Sequence, residues 1–126
     1  MRMPIQSYRD LEAWQIGMDF VVNVYELTKH LPVEERYGLA SQMRRAAVSV
    51  PSNVSEGHQL GGKSYRRFVS FAIGSLAEAN TQIEIALRLE YIDGPMFDAI
   101  TRKSTRLRQV LHGLRRSLKT NDEPRT

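Results

Sequence analysis

Residues 57–64, Gly-His-Gln-Leu-Gly-Gly-Lys-Ser, fit the G-x-x-x-x-G-K-S pattern of a phosphate-binding loop at every fixed position. In such a loop successive backbone N–H groups converge on phosphates while the lysine neutralises charge and the hydroxyl helps hold magnesium. That geometry needs a buried strand before the loop and a parallel sheet beneath it. Here Asn53-Val54-Ser55-Glu56 precedes it and reads as a helix end, and no apolar strand ending in Asp occurs elsewhere. The segment is therefore expected to be a glycine-rich connection between helices, with Ser64 as N-cap, that binds no nucleotide.

Other reactive side chains are scattered. His30, His58 and His112 stand singly, with neither H-E-x-x-H nor paired E-x-x-H spacing, so no metal site is expected. His30, near a helix end, suits the negative pole of a helix dipole. Glu78 and Glu84 are six positions apart, which sets them about 120° apart around a helix and argues against a shared carboxylate centre. Without cysteine or a G-x-S-x-G elbow, nucleophilic catalysis has no carrier. The expectation is a protein that is not an enzyme and takes no cofactor.

Positive charge is patterned more tellingly. Arg102, Lys103, Arg106, Arg108, Arg115, Arg116 and Lys119 fall in one stretch, 99–119, that holds no acidic residue. At about 100° per residue all but Lys103 spread across the side opposite a Leu107/Leu111/Leu114/Leu118 stripe. Solvated faces normally mix signs, so a single-sign face suggests a polyanion, RNA or single-stranded DNA. A second cluster, Arg44, Arg45, Lys63, Arg66 and Arg67, brackets the connection around 57–64. The competing reading is charge that serves solubility and ion pairs to another subunit.

The elements that position these residues are helices. A first is predicted over about 8–31, with Leu11, Trp14, Met18, Val21, Tyr25 and Thr28 as one stripe and Ile16, Phe20, Val24 and Leu27 as another. Ser7-x-x-Asp10 supplies a capping box and Pro32 a stop. Two stripes exceed what one neighbour covers, so the helix is central or one stripe faces another subunit. A second helix, about 34–56, is rich in small residues, kinked near Val50 by Pro51, restarted by Asn53-x-x-Glu56 and closed by Gly57. A third spans about 64–91 and is broken by Asp93-Gly94-Pro95; a fourth spans about 96–118. Residues 119–126 are polar and expected to fray. The fold class is all-α: an antiparallel up-down-up-down four-helix bundle, one domain over 1–126.

Composition sets the outer bounds. The 126 residues are 41% hydrophobic and 25% charged, enough for one core. Cysteine is absent, which excludes disulfides and thiolate metal sites. Neither an eighteen-residue apolar run nor an apolar leader is present, so a cytoplasmic, membrane-free protein is expected. A net charge of +4 and a pI near 9.7 admit a polyanion without requiring one.

Three blocks together resemble a known family: Tyr8-Arg9-Asp10-Leu11-x-x-Trp14-Gln15, then Tyr37-Gly38-Leu39-x-x-Gln42-x-Arg44-Arg45-Ala46-Ala47-x-Ser49-Val50-Pro51-x-Asn53-Val54-x-Glu56-Gly57, then Gly74-Ser75-x-x-Glu78. These are similar to the four-helix-bundle proteins encoded in intervening sequences of bacterial 23S ribosomal RNA genes. The resemblance covers about 8–118. It implies a homopentamer of bundles, and a distant kinship with the basic pentameric accessory proteins of diversity-generating retroelements, which bind nucleic acid and a reverse transcriptase. For the matching positions it implies structural jobs: Asn53 and Glu56 capping at the kink, and Arg45 as a partner for Glu56. The function expected is a non-enzymatic oligomeric scaffold associated with RNA through a basic helix face, with room for an unidentified protein partner. The alternative is a structural or protein-interaction module without a nucleic-acid role.

Overall fold

The structure, a computed structural model, describes residues 4–118. Lys119 and the 119–126 tail lie outside the described residues. Four α-helices carry the chain: α1 Glu12–Thr28, α2 Leu39–Leu60, α3 Gly62–Arg88 and α4 Gly94–Ser117. No strand occurs among the described residues. No described helix is long and apolar enough to cross a membrane. α2 packs against α1 and α3, and α4 closes the ring against both α3 and α1.

The helix ends differ from the sequence expectation for local reasons. The Ser7/Asp10 capping box exists, but it closes a short 3-10 turn, Tyr8–Asp10, so that α1 begins only at Glu12. Asp10 Oδ2 accepts from the backbone N–H groups of Gln6 (2.9 Å) and Ser7 (3.1 Å). These two donors hold its carboxyl below the usual carboxylate range. A second 3-10 turn, Val33–Glu35, delays α2 to Leu39, whose N–H donates to Glu35 Oε1 at 3.1 Å.

α2 runs unbroken through Pro51 and past Gly57 to Leu60. Proline removes one backbone donor, and side chains just beyond it bond back to nearby carbonyls. Ser52 Oγ donates to Val48 O at 2.7 Å and Asn53 Nδ2 to Ser49 O at 2.8 Å. Asn53 thus lies inside the helix and caps no restarted turn. Gly57 is a buried contact with α3 rather than a stop. The connection to α3 is Gly61 alone, with φ +67°, a left-handed value that glycine adopts without strain. Ser64 consequently sits inside α3, and Gly61 is its N-cap. α3 closes with Glu90 at φ +63° and Tyr91 N–H donating to Ala86 O at 2.9 Å, a Schellman-type ending. Asp93 caps α4 by accepting from Met96 N–H at 2.9 Å, with Pro95 in the first turn.

Phe20 and Val24 of α1, Met43 and Val50 of α2, Leu76 of α3, and Leu107 and Leu111 of α4 are fully buried in one cluster. The small residues Ala47, Ala72, Ala79 and Gly57 let α2 and α3 approach closely. On α1 the stripe through Phe20, Val24 and Leu27 faces this core, whereas Met18, Val22 and Tyr25 remain 41%, 58% and 41% exposed. Of the other stripe read from the sequence, Met18 and Tyr25 are exposed, Trp14 and Val21 are partly buried against the core, and Leu11 and Thr28 are buried.

Candidate nucleic-acid interface

α4 divides its cations three ways. On the side of α1, Arg106 Nη2 stands 2.7 Å from Glu12 Oε2, and Lys103 Nζ lies 3.8 Å from Asp19 Oδ2. Both pairs are solvent-exposed, so each contributes little to stability. On the side of α3, Arg115 donates through Nη1 to Ser70 Oγ at 3.4 Å and through Nη2 to His112 Nδ1 at 3.3 Å. Arg102, Arg108 and Arg116 are exposed and have no side-chain partner among the described residues. The uniform face expected from sequence is thus three free arginines flanked by three engaged cations.

His112 reports the field these charges create. Burial first, then the Arg115, Arg108 and Arg116 charges, push its pKa below the usual imidazole value. The convergence of the Arg115, Arg108 and Arg116 charges on this one imidazole marks a place where an anion would be welcome.

The second cluster is two patches. Arg44 and Arg45 lie on α2, while Lys63, Arg66 and Arg67 occupy the first turns of α3. Arg45 stands sixteen residues before Gly61, about 24 Å of helix. Arg67 stacks over the Phe71 ring at 5.4 Å. Arg44 stacks over Tyr25 at 4.7 Å and donates through Nε to Thr28 Oγ1 at 2.9 Å. Sequence reasoning missed Arg36 and Tyr37, which join Tyr25, Arg44 and Arg45 around a groove of about 770 Å³ between α1 and α2. The adjacent Arg-Tyr pair was visible in the sequence. Its place against the exposed stripe of α2 was not, because that depends on how the connection after α1 folds.

The remaining candidates stay apart. Residues 57–64 form the end of α2 and the start of α3, so their backbone donors turn along helices rather than into a loop. The Gly61 N–H, for example, donates to Gly57 O at 2.9 Å. His58 packs edge-on against the Tyr65 ring at 5.6 Å, far along the chain from His30 at the exposed end of α1. Glu84 pairs with Arg88 at 3.1 Å, and Glu78 lies beside Gln42, Arg45 and Ser49. Ser49 Oγ and Ser75 Oγ are 2.8 Å apart, and Asn53 Nδ2 donates to Ser49 Oγ at 2.9 Å. These motif residues therefore tie α2 to α3. No ion pair or hydrogen bond joins Arg45 to Glu56 among the described residues. Eleven positions apart on one helix, they are separated by about 16 Å of rise.

Fold and surface define an all-α, four-helix protein with basic outer faces. Residues 9–113 match the sequence model of the 23S rRNA-intervening sequence protein family, and the chain belongs to that family. Among solved structures it is similar to a protein of unknown function from the S23 ribosomal protein family of Bacteroides thetaiotaomicron. The two share 21% identity and a TM-score of 0.74, over 81% of this chain and 96% of the other. No curated protein gives a significant match.

Proposed function

We propose that this protein is a non-enzymatic, cytoplasmic oligomeric scaffold that associates with RNA through the outer face of α4. The observation that carries the reading is the trio Arg102, Arg108 and Arg116, exposed and without a side-chain partner among the described residues. Phosphates are the natural complement of such a face, and contacts of this kind position a nucleic acid without reading its sequence. The bundle behind it is read as antiparallel up-down-up-down. In support, Gly17 lies near Pro51 while Thr28 bonds Arg44, and Ser70 bonds Arg115 while Asn80 bonds Ser104. Residue numbers rise along one helix of each pair and fall along the other. A bend of α2 at Pro51 belongs to the same reading, since the ring cannot donate to the preceding turn.

Oligomerisation is supported by apolar surface that a lone bundle leaves wet. Met18 and Val22 on α1 and Phe71, Ile85 and Leu89 on or just after α3 are all 40% or more exposed. Family resemblance supplies the number five. Gly74, exposed in mid-α3 with nothing within 4 Å of where a Cβ would stand, fits the same picture. A mid-helix glycine costs about 1 kcal/mol relative to alanine, which the single bundle gives no reason to bear.

Two measurements test the proposal. Arg102→Gln, Arg108→Gln and Arg116→Gln combined should keep helicity and particle mass, weaken RNA binding on unrelated sequences alike, and flatten the slope of log affinity against log salt. Light scattering should give a particle well above one 14.4 kDa chain, and Val22→Glu should dissociate it. Unchanged RNA affinity in the triple variant would move the site off α4, and no RNA binding by the native protein at low salt would favour the second reading, a protein-interaction module. That reading draws on the Arg106–Glu12 and Lys103–Asp19 pairs, which spend two of the α4 cations within the bundle.

A further inference from the structure

The groove between α1 and α2 differs in kind from the face of α4. Three guanidinium groups, Arg36, Arg44 and Arg45, line it together with two tyrosine rings, and no carboxylate is among its walls. Glu35, the nearest acid in sequence to Arg36, is turned away: Oε2 accepts from Tyr91 OH at 3.0 Å and Oε1 from Leu39 N–H. Arg44 is fixed by Thr28 Oγ1 and by the Tyr25 ring beneath it. Arg36 and Arg45 make no hydrogen bond or ion pair among the described residues, with Glu78 the acid that neighbours Arg45 outside the groove. Tyr37 is 89% exposed and makes no ring contact with its own chain among the described residues.

We infer that this groove is a binding site for single-stranded nucleic acid, with phosphates on Arg36, Arg44 and Arg45 and an unpaired base stacked on Tyr37. The inference rests on the nucleic-acid reading above for the class of ligand and is independent of α4 for its place. Charge alone would accept any polyanion. The aromatic ring adds selectivity, because a base inside a duplex already has both faces covered, whereas a single strand can lay one on the ring. Among the described residues α4 itself carries no exposed aromatic side chain, so its face should treat single strands and duplexes alike. The groove is open to solvent along its length, which leaves room for an extended strand to lie on it. A pre-positioned arginine beside two unengaged ones matches a site already shaped for its ligand, with little reorganisation left on binding.

The test compares a labelled single-stranded RNA twelve-mer with a duplex of the same sequence, using the full chain and fluorescence anisotropy. Tyr37→Ala should lower single-strand affinity at least about fivefold, the lower end of what stacking on an aromatic ring contributes, and leave duplex affinity where it was. Tyr37→Phe should restore the loss. Arg36→Gln with Arg45→Gln should weaken the single strand and shrink its salt slope by about 0.7 per lost phosphate contact. If Tyr37→Ala leaves single-strand binding intact while the α4 triple variant abolishes it, the groove reading fails and the α4 reading stands. Failure of the native protein to bind either RNA at low salt sinks both. A change of particle mass in Tyr37→Ala, with RNA affinity unaltered, would make the groove a contact between copies of the chain and overturn the inference.

Discussion

Gly57 and Phe68 bring α2 and α3 together so closely that a Cβ on Gly57 would stand 2.8 Å from Phe68 Cβ and 3.1 Å from the Tyr65 carbonyl oxygen. Neither neighbour is the free end of a flexible side chain. Gly57→Ala gains helix propensity worth about 1 kcal/mol but overpacks the contact by about 1–3 kcal/mol. Net destabilisation of up to about 2 kcal/mol is expected, visible as a lower urea midpoint at constant slope.

Glu90 ends α3 in the left-handed region at φ +63°, where a side chain costs about 1–2 kcal/mol. Its carboxylate is exposed and makes no hydrogen bond or ion pair among the described residues. Glu90→Gly should therefore raise stability by about 1 kcal/mol through relief of that strain, partly offset by the entropy glycine adds to the unfolded chain. Thermal unfolding of the two proteins side by side decides it; an unchanged or lower midpoint would show that Glu90 contributes something the backbone argument omits.

How much of this was legible depended on whether the deciding partner lay nearby in sequence. Four helices and the Ser7/Asp10 box rest on residues a few positions apart, and all are present. Gly57 was readable only as a stop, because its role as a contact requires Phe68 on the next helix. Pro51 carried a local rule, the loss of one backbone donor, yet α2 continues through it. The charge of α4 was legible as charge. Its division was not, since the carboxylates that hold Arg106 and Lys103 sit on α1, more than eighty residues earlier.

His112 couples pH to folding and offers a probe of binding. Burial and the charges of Arg115, Arg108 and Arg116 hold its folded pKa below the ordinary imidazole value. As pH falls through about 6.5 the unfolded chain takes up a proton that the folded chain still refuses, so stability declines over that interval until the folded pKa is passed. His112→Gln should remove this slope. Phosphates bound beside Arg108, Arg115 and Arg116 would offset the repelling charges, so saturating RNA should raise the His112 pKa in an NMR titration. An imidazole that titrates identically with and without RNA would exclude phosphates from that end of α4.

The Arg106–Glu12 pair gives the sharpest prediction, because it runs opposite to a simple loss of function. Arg106 Nη2 is 2.7 Å from Glu12 Oε2 with both side chains more than half exposed, so breaking the pair should cost under about 1 kcal/mol. Glu12→Gln keeps the shape of the side chain, removes a charge that repels phosphates, and frees Arg106 to join Arg102 and Arg116. RNA affinity at low salt should therefore rise, and the salt slope should steepen by up to about 0.7–0.9, one added phosphate contact. Asp19→Asn should do the same more weakly, since Lys103 is held only at 3.8 Å. Glu84→Gln, which breaks the Arg88 pair on α3 and changes net charge equally, is the control and should leave the slope unchanged. An equal gain in all three variants would mean that overall charge attracts RNA without a face. No gain in any of them would remove α4 from consideration as the phosphate-binding surface.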